Sequence, residues 1–229
     1  MLIVSAAWRK AFPGAVVGTL VMRDVTHPDS YAALDQRKQG LESQLRSRFS
    51  KGGRAAIKAL PVIQAYAAYY ERFIKTYHVQ LQLESVALKG KSIPRVAALV
   101  EAMFMAELEN LLLTAGHDLD AVQAPIRLDV SAGSERYIML NGQEQVLKPG
   151  DMMIADSQGV ISSVIYGPDQ RTRITTATRR VLFVVYAPAG IGAEAVRRHL
   201  EDIRALIALF APQATVESLE VHVAERGAP

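Results

Sequence analysis

The chain has 229 residues, half of them hydrophobic and 21% charged, with a formal net charge of +3. That composition can bury a full core and excludes a disordered chain, and no apolar run approaches the ~18 residues that a bilayer-spanning helix needs. The absence of cysteine removes disulfides, thiolate metal ligands and thiol nucleophiles together, and favours a cytoplasmic setting.

Leu2–Ser5 and Ala15–Met22 predict strands around a Pro13-Gly14 turn. Arg9 and Lys10 follow the apolar start rather than precede it, the wrong order for a signal peptide. His27-Pro28-Asp29-Ser30 predicts a helix start capped by Asp29 or Ser30, and Tyr31 to about Phe49 a helix with Leu34, Leu41, Leu45 and Phe49 on one face. From Arg37 to Lys58 the basic residues Arg37, Lys38, Arg46, Arg48, Lys51, Arg54 and Lys58 meet one acid, Glu42. Such a stripe is either a solvated helix face or a phosphate-binding surface centred on Arg46, Arg48 and Arg54.

Pro61 to Tyr77 predicts a second helix whose stripe of Tyr66, Tyr69, Tyr70, Phe73 and Tyr77 fits a core better than a base-stacking surface. Gln80–Leu88 favours a short helix. Ser92-Ile93-Pro94 introduces a helix from Arg95 to Leu113, apolar almost all round and therefore central. From Ile126 the pattern changes to strands: Ile126–Val130, Arg136–Leu140, Met152–Asp156, Val160–Tyr166 and Val181–Tyr186. A last amphipathic helix, about Ala193 to Phe210, and a strand, Thr215–Val223, complete the pattern. With no repeat and no low-complexity linker, the expectation is one α+β domain, 1–229, with helices packed on one side of a mixed sheet.

The apolar helix pattern runs to Ala115-Gly116 and is followed at once by His117, Asp118 and Asp120. These three suit hydrogen bonding to a substrate, or a capped helix end; as metal ligands their spacing matches no standard motif. Pro149-Gly150-Asp151 is a hairpin turn, and no nucleophile elbow, P-loop or dinucleotide fingerprint occurs. Gly167-Pro168 bends the chain so that Asp169 and Arg171 either face a pocket mouth or form a salt-bridged loop. Arg179-Arg180, after Thr175-Thr176-Ala177-Thr178, suits phosphate or ribose contact, and equally a sheet-edge loop. No residue set calls for a cofactor or a metal.

Gly116-His117-Asp118-Leu119-Asp120, Gly133-Ser134-Glu135, Leu140-Asn141-Gly142, Leu147 and Ile154-Ala155-Asp156 follow an order that resembles the B3/B4 domain of the bacterial phenylalanyl-tRNA synthetase β-subunit. The likeness covers roughly Tyr70 to Pro188. It implies a free-standing B3/B4 protein that contacts tRNA and hydrolyses mischarged aminoacyl-tRNA, or else a non-catalytic module for tRNA or an amino-acid-like ligand. It implies a catalytic His117 and substrate contacts at Asp118, Asp120, Tyr166, Thr178, Val184 and Tyr186. It places Gly116–Asp120 at the mouth of a pocket floored by Val160–Tyr166 and Val181–Tyr186. The tRNA phosphates would lie on Arg179, Arg180 and the stripe of Arg46, Arg48 and Arg54. Two departures stand out: Phe104 lies where the synthetases commonly have Asn, and Val184 where they carry an acid, so their amino-acid selectivity does not transfer.

Overall fold

The computed structural model describes residues 2–225. In chain order it comprises β1 (Leu2–Val4), α1 (Ala6–Ala11), β2 (Val16–Arg23), α2 (Ala32–Phe49), α3 (Gly53–Lys58), α4 (Pro61–Glu71), α5 (His78–Ala87), α6 (Ala98–Asn110), β3 (Thr114–Asp118), β4 (Ile126–Val130), β5 (Arg136–Ile138), β6 (Glu144–Val146), β7 (Met152–Asp156), β8 (Gly159–Ser163), β9 (Gly167–Pro168), β10 (Val181–Ala187), α7 (Ala193–Ala208) and β11 (Thr215–Val223). The class is α+β, with the strands divided among three sheets rather than one. One has the order β1-β4-β7-β8-β9, a second β11-β2-β10-β3, and β5-β6 form a hairpin. Only the β1–β4 pair is parallel, which makes the first sheet mixed.

The second sheet is covered on one face by α7, which packs on β2, β10 and β11, and by α6 beside it. Val196, Leu200, Ile203 and Ile207 supply the buried stripe of α7. Gly18 of β2 lies beneath it: a Cβ there would sit 2.5 Å from Val196 Cγ1 and 2.9 Å from Leu200 Cδ1. Gly18→Ala therefore forces α7 outward, and overpacking of this kind costs about 1–3 kcal/mol. Thermal unfolding should show the loss, and an unchanged midpoint would mean that the contact yields freely. The opposite face of the sheet meets the first sheet, where Thr19, Val21, Leu182 and Val184 approach Leu2 and Ile126.

Three expected boundaries moved. The helix forecast to reach Leu113 stops at Asn110, because Leu111 turns left-handed (φ 63°) and its N–H bonds Glu107 O at 2.7 Å. The buried Glu107 carboxylate then accepts Thr114 N–H at 2.7 Å, so Thr114–Asp118 leaves as a strand. The forecast helix 61–77 breaks after Glu71, with Ile74 left-handed at φ 56°, and α5 begins at His78. The forecast strand 160–166 ends at Ser163. The helices α1 and α3 and the strand β6 had no counterpart in the pattern; α1 and α3 are six residues each, too short for helical periodicity to show.

The tyrosine stripe is core, as its spacing suggested. Tyr66 and Tyr77 stack with centroids 4.1 Å apart, and each hydroxyl finds a carbonyl: Tyr66 donates to Tyr186 O at 2.6 Å, Tyr77 to Leu111 O at 3.0 Å and Tyr70 to Val164 O at 2.7 Å. The rings thus supply apolar area while their polar ends tie helices to β10 and β8.

Candidate functional site

β3 is an edge strand, paired with β10 through Ala115↔Val184, His117↔Leu182 and Asp118↔Val181. Alternation along it turns His117 inward and Asp118 outward. His117 is fully buried between the sheets. Its Nδ1 lies 2.8 Å from Thr172 Oγ1 and its Nε2 3.3 Å from Ser162 Oγ. Thr172 donates its hydroxyl to Asp169 Oδ1, so the Thr172 oxygen is left to accept Nδ1–H. His117 Nε2 then accepts from Ser162, whose oxygen accepts Tyr186 O–H at 2.5 Å. The result is one directed chain of donors, Tyr186 to Ser162 to His117 to Thr172 to Asp169.

This geometry differs from the pocket-mouth position expected for His117, which is bonded at both nitrogens and sealed from the cavity. Burial, aided by the nearby Arg171 charge, pushes its pKa down to about 3. Val184 and Tyr186 are likewise buried in the same layer. Val184 borders a small void of about 40 Å³ between the two main sheets. Tyr166 is half-buried against the small cluster of Tyr137, Met153 and Val160, with Lys75 Nζ 4.6 Å from its ring centre.

The cavity lies one residue along, on the outward side of β3. It measures about 550 Å³ and is lined by Asp118, Arg136, Asp169, Arg171, Arg173 and Thr175 among others, with Val160 from β8. Asp118 accepts Thr178 Oγ1–H at 2.7 Å and Asp120 N–H at 3.1 Å, which ties the 171–180 loop to the end of β3. Arg171 forms a fork on Asp156, with Nη1–Oδ2 at 2.9 Å and Nη2–Oδ1 at 3.0 Å. Burial works against the Asp156 charge, but N–H donors of Gln123, Gln158 and Arg171 more than offset it and hold that carboxyl below its usual range. On the far side of the loop an open recess of about 830 Å³ is edged by Arg23, Asp120, Arg179, Arg180 and Glu217. There Arg180 bridges Asp120 at 3.1 Å and Glu217 at 3.4 Å. Asp118, Asp120, Thr178, Arg179 and Arg180 are therefore brought together, whereas His117, Val184 and Tyr186 lie beneath them.

The basic stripe behaves differently from a free cationic surface. Arg37 pairs with Glu109 at 2.6 Å, Lys38 with Glu101 at 2.5 Å, Arg46 with Glu42 at 3.1 Å and Arg54 with Glu84 at 2.9 Å. Arg46 also donates to the carbonyls of Val86, Gly90 and Lys91. Arg46 and Arg54 thus tie helices together while keeping part of their side chains exposed. Arg48 is exposed and stacks on Phe49, 5.0 Å from its centroid. The partners, Glu84, Glu101 and Glu109, lie far along the chain, so the charge balance was invisible within the stripe itself.

Arg136, Arg173, Ser162 and Thr172 were not foreseen. The paired serines inside the apolar run Val160–Tyr166 were the one signal for Ser162. Asp169 and Arg171 face a cavity and also bridge each other at 3.6 Å, so both placements open to them are realised. Among the described residues no group of three His, Asp or Glu side chains converges to hold a metal ion, and no helix is long and apolar enough to cross a membrane.

A family model for the B3/4 domain matches residues 62–204. The β-subunit of phenylalanine–tRNA ligase from Mycoplasma pneumoniae is 32% identical over 69 residues, 30% of this chain and 9% of that protein. The same subunit from Oleidesulfovibrio alaskensis is 31% identical over 118 residues, 50% of this chain and 15% of that protein. The chain thus matches only a small part of these relatives. Among solved structures, an N-terminal fragment of the phenylalanyl-tRNA synthetase β-subunit from Pyrococcus horikoshii superposes with a TM-score of 0.51 at 13% identity, over 94% of this chain and 50% of that one. That likeness concerns the fold alone. With the family model covering well over half its length, the chain belongs to the B3/4 domain family.

Proposed function

We propose that this chain binds the 3′ end of tRNA and acts in trans as an editing hydrolase, removing a wrongly attached amino acid. The observation that carries the reading is the 550 Å³ cavity, which sets Arg136, Arg171 and Arg173 around the carboxylates of Asp118 and Asp169. Guanidinium groups suit phosphate recognition, and a cavity of this size is in the range of small-ligand sites. An aminoacyl ester is already activated, so holding it against an oriented water supplies much of the needed rate, with no nucleophile. A tRNA partner places the protein in the cytoplasm. Residues 1–229 act in this reading as one B3/4 unit.

The sealed His117 favours a second reading, in which the module binds charged tRNA without cleaving it. A deacylation screen across aminoacyl-tRNAs decides between them: release of one or a few amino acids supports the hydrolase, and saturable binding with no release supports the binding module. Arg136→Ala with Arg173→Ala should weaken tRNA binding at least tenfold at low salt and flatten its salt dependence, since each lost phosphate contact lowers the slope by about 0.9 or less. Filter binding across a salt series reads both effects. Unchanged affinity and slope would remove the cavity from the RNA path. Arg46→Glu is expected to lower stability rather than affinity.

A further inference from the structure

Asp169 is the end point of the buried donor chain and also a wall of the cavity. It is only 4% exposed. Its Oδ1 takes both the hydroxyl and the N–H of Thr172, the latter at 3.0 Å. Its Oδ2 accepts no hydrogen bond and faces only Arg171 Nε at 3.6 Å. That guanidinium is already committed to Asp156 and to Ala121 O at 2.8 Å. The other cavity carboxylate, Asp118, has both oxygens engaged. The relay thus ends on one oxygen of Asp169, Oδ1, which fixes the rotamer and leaves the other without a protein donor in the lined cavity. Oδ2 borders the cavity, so a ligand entering there can supply its donor.

We propose that Asp169 Oδ2 anchors the α-ammonium of an aminoacyl group, so that the site takes aminoacyl-RNA with a free amine and rejects N-acylated forms such as peptidyl- or formyl-aminoacyl ends. This rests on the tRNA reading above. Burial raises the carboxyl's pKa against the opposing pull of the Thr172 donors and the Arg171 charge. An ammonium fits better than a hydroxyl because it returns a full charge as well as a donor. His117, Ser162 and Tyr186 then serve as positioning residues, aligning Thr172 and through it Asp169.

The test uses the full chain and tRNA ending in 3′-amino-3′-deoxyadenosine, charged through a stable amide with each proteinogenic amino acid in turn, free or N-acetylated. For at least one amino acid the wild type should hold the free-amine form about 10- to 100-fold tighter than the acetylated form, the range of a hydrogen bond to a charged group. Asp169→Asn keeps an acceptor for Thr172, so it should fold, and it should lose the preference, holding the free and acetylated forms alike. Equal affinity for both forms in the wild type with every amino acid would overturn the proposal. So would a preference that survives in Asp169→Asn, which would assign it to acyl bulk. Both outcomes leave tRNA binding intact. A wild type that binds uncharged tRNA no better than an unrelated RNA would fail the tRNA reading itself and take this inference with it.

Discussion

Replacing Lys38 by Met should cost about 3–5 kcal/mol of stability, the usual penalty for breaking a buried ion pair from one side. Lys38 Nζ lies 2.5 Å from Glu101 Oε2 and 3.3 Å from Asp35 Oδ1, and the Glu101 side chain is fully buried. Glu101 also accepts Tyr31 O–H at 2.9 Å and Val96 N–H at 2.8 Å, so it cannot swing out to water without releasing the start of α6. Against a typical total of about 5–15 kcal/mol, the loss is large. Glu101→Gln keeps an acceptor for both donors while removing the stranded charge, so the double variant should recover most of the stability. Urea unfolding of the four proteins measures this directly. A single variant within about 1 kcal/mol of wild type would show that water reaches Glu101.

The second large effect concerns pH. Burial pushes Glu107 up to about 8, with one N–H, from Thr114, as its opposing influence. A carboxyl whose folded pKa exceeds its unfolded one binds more protons folded than unfolded. Its stability contribution is full below about 4.5 and disappears as pH rises through about 8. Asp151, pushed up to about 6 by burial, acts in the same direction at lower pH. Buried His78, pushed down to about 4, and His117 and His199, both pushed down to about 3, act oppositely. Their contribution is present above about 6.5 and is lost as pH falls toward the folded values. Stability should therefore peak near about pH 6.5 and decline toward pH 8. Glu107→Gln should remove that decline and gain about 4–5 kcal/mol at pH 8, at about 1.4 kcal/mol per pKa unit. Denaturant midpoints at pH 6.5 and 8 give the answer; an equal fall in wild type and variant would exonerate Glu107.

Much of the fold was legible because long, strongly patterned segments declare themselves. The apolar face of α2, the amphipathic α7 and the alternating β11 fell where their spacing put them. The site was less legible for two physical reasons. A one-residue difference in how a strand is placed exchanges its buried and exposed side chains. Reading Leu111–Gly116 as the tail of a helix left His117 on the surface, whereas β3 turns it inward and presents Asp118 instead. Charge balance, in turn, depends on partners far apart in sequence: Arg37 and Glu109 are 72 positions apart. No local count of basic residues reveals such pairing.

The arrangement of the two main sheets also constrains how the chain is made. β1 joins the first sheet beside β4, while β2, a few residues later, lies in the second between β10 and β11. The stretch Leu2–Arg23 therefore acts as a clasp between the sheets, with partners at Ile126–Leu128, Val181–Ala187 and Thr215–Val223. On a ribosome it emerges well before these partners, leaving Trp8, Val16, Val17 and Leu20 uncovered until Thr215–Val223 has been synthesised. Such non-local closure slows folding and exposes strand edges in the interval. The chain's yield on expression should therefore respond to translation speed and temperature, which set how long those edges stay open.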